Sequence, residues 1–93
     1  NPWNLLMTKS FKIFENIVSQ CIDNNVYILD IDSGEYYELS YSASSIWKEI
    51  EDGANIDDIK TKIKSKFVDD SNIGIDIDHA ITDFINLNLI KEN

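Results

Sequence analysis

Past Ser40 the spacing of apolar residues changes, and that change limits what the chain can fold into. Before it, apolar and polar residues alternate. In VYILDIDS, Tyr27, Leu29 and Ile31 share one face, and in EYYELS, Tyr37 and Leu39 face a core with Tyr36 and Glu38 on the other side. Period-two spacing in β-branched and aromatic residues predicts strands. Asp32-Ser33-Gly34 joins the two runs as a turn in which Gly34 supplies positive φ at little cost, so they read as a hairpin.

After Ser40 the period becomes about 3.6 residues. Ser42 is expected to cap a helix bearing Ile46, Trp47 and Ile50, which Gly53 stops. Asn55 caps a second, with Asp57 and Asp58 where negative charge favours the helix dipole and Ile56, Ile59, Ile63 and Phe67 as its apolar positions. Asp76 is expected to cap a third that reaches about Ile90. Upstream, Phe11 to Ile22 reads as one ragged strand or two short ones separated near Asn16. Strands followed by helices predict an α+β fold, with the helices on one face of a small antiparallel sheet.

Charge narrows the choice of partner. With 17 acidic residues against eight Lys and no Arg, the chain carries a net charge of -9. It repels phosphate backbones and lacks the side chain best suited to bidentate phosphate or guanine contacts, so nucleic acid is disfavoured. The apolar runs are too short to span a membrane, and no membrane partner is expected. A single Cys21 allows no internal disulfide and fits a reducing compartment, here the bacterial cytoplasm. NPWNLL has no period and precedes Met7; it is expected to be a cloning remnant, within an N-terminal extension of residues 1–10 ahead of one domain, residues 11–93.

Nothing in the chain has the spacing of a catalytic or metal site. Asp30, Asp32 and Gly34 suggest a calcium loop, but a count from Asp30 puts Glu35 where the loop needs Gly and Tyr41 where it needs Glu. A turn is the better reading. His79 lacks a nucleophile or acid partner nearby in sequence and reads as a solvated or packed helix residue. Cys21, beside Asp23, reads as a buried structural thiol. The hairpin from Asp23 to Glu38 holds five acids and no Lys, which serves solubility or steers a Lys-bearing partner. Neither catalysis nor a cofactor is expected.

The third helix carries more apolar surface than one core contact needs. Ile77, Ile81 and Ile85 can face the core while Ala80, Phe84 and Leu87 turn aside. If the strand Glu35 to Ser40 is an open edge beside that flank, an extended peptide can pair with its backbone and seat side chains on the helix. The alternative is that the flank packs on the other two helices.

YILDIDSGEYYELSYSASSIWKEIEDG, then NIDDIKTKIKSKF and IDIDHAITDFINLNLI, resemble the PqqD-like family of RiPP precursor peptide recognition elements. The apolar strand, the turn at Gly34, Tyr36, Tyr37, Leu39, Ser40, Ile46 and Trp47 fall in the family's order, although relatives often carry Asn in place of Ser40. The resemblance implies three antiparallel strands followed by three helices, winged-helix-like, without catalysis. It implies that the leader segment of a ribosomally made precursor adds as a strand to Glu35, Tyr36, Tyr37, Glu38, Leu39 and Ser40. The leader would pack on Ile77, Ala80, Ile81, Phe84 and Leu87, with Asp83 placed to meet a leader Lys. Implied partners are a leader peptidase, a cyclase or a radical SAM enzyme, in a lasso peptide or similar pathway. The rival reading is a winged-helix nucleic-acid binder, against which Asp76, Asp78 and Asp83 on the third helix argue.

Overall fold

A computed structural model describes residues 9–93. Its elements run β1 (Phe11–Ile13), β2 (Ile17–Ile22), β3 (Asn25–Asp30), β4 (Tyr36–Glu38), α1 (Tyr41–Glu51), α2 (Ile56–Lys66), α3 (Ile73–Asn86) and β5 (Ile90–Glu92). Strands β2, β3 and β4 form a three-stranded antiparallel sheet in that order, and the three helices follow, an α+β fold. The sequence from Phe11 to Ile22 makes two short strands, and the Asn16 side chain between them donates to Asp30 at 2.8 Å.

The core lies between the sheet and the helices. Val26 and Ile28 of β3, Ile46, Trp47 and Ile50 of α1, Ile59 and Ile63 of α2, and Ile73, Ile77, Ile81 and Phe84 of α3 are all buried. Trp47 sits at the centre, edge-on to Phe84 with ring centroids 5.2 Å apart, and its indole N–H donates to Ser19 Oγ at 3.2 Å. The face of β3 formed by Tyr27 and Leu29 is the one turned away from the helices, with Leu29 exposed, as is Ile31 in the turn just past the strand. Both faces of this strand are apolar, so alternation groups the residues without saying which group is covered.

Four sequence expectations are corrected. Ser40, not Ser42, caps α1, its hydroxyl accepting from the Ala43 N–H at 3.2 Å. Both Ser and the Asn of relatives cap well, so that departure keeps the cap. Helix α3 starts at Ile73 rather than at Asp76, because Ile73 extends the stripe through Ile77 and Ile81 into the core. It ends at Asn86, not Ile90: Asn88 takes φ 58°, and Leu89 and Ile90 are buried where β5 pairs with β1, Ile13 opposite Ile90. Cys21 is exposed rather than buried. It shares the inward parity of Val26 opposite, but β2 is an edge strand and only Ile17 of it is covered.

Of the expected extension, residues 1–8 lie outside the described residues. The Lys9 carbonyl accepts from Ile56 N–H at 2.8 Å, and Lys9 pairs with Glu92. Three of the four lysines of α2 are engaged laterally: Lys60 meets Asp78 at 3.5 Å, Lys62 meets Glu49 at 3.3 Å, and Lys66 lies 4.7 Å from the centre of the Tyr41 ring.

Candidate peptide groove

Strand β4 has β3 on one side and no strand on the other among the described residues. Its hydrogen bonds show which amides are free. Asp30 N–H donates to the Glu35 carbonyl at 2.9 Å and Leu39 N–H to the Val26 carbonyl at 2.9 Å, in register with the Ile28–Tyr37 pair. Backbone groups alternate in direction along a strand, so those of Tyr37 and Leu39 point at β3, as does the Glu35 carbonyl, while the Glu35 N–H donates to Ser33 Oγ at 3.1 Å. Those of Tyr36 and Glu38 point outward, which leaves two donors and two acceptors on the open edge.

The edge is held in place by a buried serine. At the last rung, Val26 N–H donates to Ser44 Oγ at 2.8 Å, and the Ser44 hydroxyl donates onward to the Leu39 carbonyl at 3.4 Å. Asn25 Nδ2 donates to the same carbonyl at 3.1 Å. The hydroxyl stands where a direct bond between Val26 N–H and the Leu39 carbonyl would lie, so the chain leaves β4 and enters α1 without stranding a buried donor. At the other end Asp30 closes the hairpin, accepting from Asp32 N–H at 3.0 Å and Ser33 N–H at 3.2 Å. Donation from Asn16, then from Ser33 and Asp32, holds its carboxyl below the usual aspartate value.

Beside the open edge lies a groove of about 680 Å³ between β4, the start of α1 and α3. Tyr36, Tyr37, Glu38 and Leu39 form one wall, Ala43 and Ile46 close one end, and Ala80, Asp83, Phe84 and Leu87 form the other wall. Spacing on α3 accounts for that wall. Residues 77, 81 and 84 repeat at four and three and point into the core, while 76, 80, 83 and 87 repeat at four, three and four and line the groove. Phe84 serves both, buried against Trp47 while closing the groove floor. Ile85, grouped with the core stripe from the sequence, is exposed.

Of the residues named from the sequence, Tyr36, Tyr37, Glu38, Leu39, Ser40, Ala80, Asp83, Phe84 and Leu87 line this groove. Glu35 lies in the turn before β4, and Ile77 and Ile81 are buried behind the wall. Ser42, Ala43, Ile46, Asp76 and His79 were not named and also line it. Asp76 was within reach of the sequence, since it lies four residues before Ala80 on the same face; the α1 residues depend on where that helix docks.

The groove is acidic. Glu38, Asp76 and Asp83 line it with His79, no Lys does, and none of the three carboxylates has an ion-pair partner among the described residues. Interaction with the Glu38 carboxylate, which stands opposite Tyr27 on the paired strand, holds the Tyr27 phenol above its usual pKa.

A family model described as coenzyme PQQ synthesis protein D (PqqD) matches residues 25–90. TbiB1 in complex with the TbiA(beta) leader peptide is 27% identical, with a TM-score of 0.78 over 86% of this chain and 94% of its own. Lasso peptide synthetase B1 complexed with the leader peptide is 22% identical, with a TM-score of 0.76 over 88% of this chain and 98% of its own, a likeness of fold. No curated protein matches the chain.

Proposed function

The chain belongs to the PqqD family, and on that premise we propose that it is a non-catalytic module that binds the leader segment of a ribosomally made precursor peptide and delivers it to modifying enzymes. The observation that carries this reading is the free backbone of Tyr36 and Glu38 facing an apolar-floored groove. A leader strand adds to β4 antiparallel or parallel, alternate side chains entering the groove against Ala80, Phe84 and Leu87. TbiB1, the 27% identical structure, is itself bound to a leader peptide.

Magnitudes divide the work between backbone and floor. Four backbone hydrogen bonds at ~0.5–1.5 kcal/mol each supply roughly 2–6 kcal/mol before the cost of association. A micromolar complex needs about 8 kcal/mol, so burial of leader side chains must supply the remainder and set specificity. Asp83 and the other groove acids select against acidic leaders and favour a Lys near the apolar anchors, mainly through the association rate. Within a lasso peptide or similar pathway, the enzymes served are a leader peptidase, a cyclase or a radical SAM enzyme.

Fluorescence anisotropy with a synthetic leader of the cognate precursor, set against a scrambled peptide and a DNA duplex, tests the reading. Saturable binding of the leader alone is expected. Salt-sensitive binding to the duplex with no leader binding would replace it with the nucleic-acid reading.

A further inference from the structure

The sheet has a second uncovered surface, on the side opposite the helices. Val18 and Ile22 of β2, Tyr27 and Leu29 of β3 and Tyr36 of β4 form it, following from the pairs Val18 with Leu29 and Leu29 with Tyr36. Val18 is 45% exposed, Ile22 47%, Leu29 38% and Tyr36 63%, and the surface dips into a depression of about 380 Å³. The rings of Tyr27 and Tyr36 lie 6.2 Å apart across it. A sheet face turned to water ordinarily carries polar residues at alternate positions. Here Val18, Ile22, Tyr27, Leu29 and Tyr36 are apolar or aromatic, with Gln20, Asn25 and Glu38 at the remaining outward positions, and a cluster of exposed apolar side chains of this kind marks a contact with another molecule.

Charge around the face selects the occupant. Asp23 stands at the β2–β3 turn, Asp32 and Glu35 at the β3–β4 connection and Glu38 along β4, all exposed, and residues 23–38 contain no Lys. A second copy of this chain would set those carboxylates against one another across the face. An anionic lipid surface or a nucleic acid would meet the same repulsion. A leader strand on the open edge of β4 occupies the other depression, and Tyr36 is the residue that lines both. We infer that this outer face docks a globular protein whose contact patch is apolar at its centre and edged by Lys or Arg, and that this protein is the enzyme that acts on the precursor. The identity of the partner rests on the leader-binding reading; the chemistry of the patch does not. An enzyme seated there touches the strand to which the leader adds, which brings the peptide to it without competition for the groove.

The test titrates the full chain into a processing assay containing the cognate precursor and the purified enzyme that modifies it. In parallel, binding of labelled chain to the enzyme is measured without peptide. The double variant Val18→Thr, Leu29→Thr keeps strand propensity and removes the apolar centre. It is expected to hold leader affinity within about two-fold of wild type while the chain concentration for half-maximal processing rises about ten-fold, the range of a lost interface anchor. Asp32→Asn with Glu35→Gln is expected to shift that concentration about three-fold and to flatten its salt dependence. An unchanged half-maximal concentration in the double variant overturns the inference, as does a wild-type chain that sediments as a dimer through this face. If the double variant does not fold, the near-isosteric Val18→Thr carries the same test with a rise of about three-fold, and its absence is equally fatal. Failure of the wild-type chain to bind leader counts against the function proposed above. The peptide-free titration then still decides the outer face.

Discussion

Replacing Glu38 by Pro separates the backbone of β4 from its side chains. The Glu38 N–H points to the open edge, so Pro removes a donor that the fold does not use and the added strand does. Pro at this position also restricts Tyr37 to extended backbone, which Tyr37 already has in β4. The folded chain is therefore expected to survive, with a loss of about 1 kcal/mol or less from the fixed φ. The leader loses one hydrogen bond of ~0.5–1.5 kcal/mol and keeps a carbonyl facing the ring, an unpaired acceptor costing a further ~1–3 kcal/mol. Together these weaken binding by roughly ten-fold to a thousand-fold. Glu38→Ala, which loses the carboxylate but keeps the N–H, is the control and is expected to stay within about three-fold of wild type, the scale of an exposed charge contact. Leader affinity is read by anisotropy, and the fold by circular dichroism and the urea midpoint. If Glu38→Pro stays folded and binds as well as Glu38→Ala, no strand adds at this edge.

Ala80→Arg puts bulk and charge on the α3 wall; leader affinity is expected to fall at least ten-fold by anisotropy with the urea midpoint unchanged, and an unaltered affinity would mean that the peptide does not lie against this wall. Ser44→Ala strands the buried Val26 N–H and should lower stability by about 1–3 kcal/mol in urea titration, with a matching loss of β4 order seen as faster amide exchange at Leu39. The lowered pKa of Asp30 means that its contribution to stability is complete above the ordinary aspartate value near ~3.9 and disappears as pH falls through the folded value. The stability difference between wild type and Asp30→Asn should accordingly be constant above about pH 5 and shrink in more acid solution. A difference that grew on acidification would refute the turn-closing role of that carboxylate.

The groove was legible to a large degree because its two walls are written in local periods. Tyr36 and Glu38 alternate with residues bonded to β3, and Ala80, Asp83 and Leu87 follow the helical repeat. Where the wall is two layers deep the same period separates the layers: Ile77 and Ile81, which it groups with the core, lie buried one step around the helix from Ala80 and Asp83. Ala43 and Ile46 reach the groove through the docking of α1 beside β4, a junction bonded by the Ser40 cap and the Ser44 hydroxyl, and no local period specifies that docking.

The sequence by itself determined which residues lie together on each strand and helix, where the hairpin turns at Gly34, how Asn55 starts α2, and that the surface is acidic. Those properties depend on neighbours a few residues apart and on composition. The tertiary structure decided which of the two apolar faces of β3 meets the helices, leaving Tyr27 and Leu29 outside and Val26 and Ile28 within. It also turned Ile90 from a helix end into a strand, since pairing with Ile13 and burial beside Leu89 outweigh one more turn of α3. Burial and strand pairing join residues far apart in the chain, and a local period has no means of expressing them.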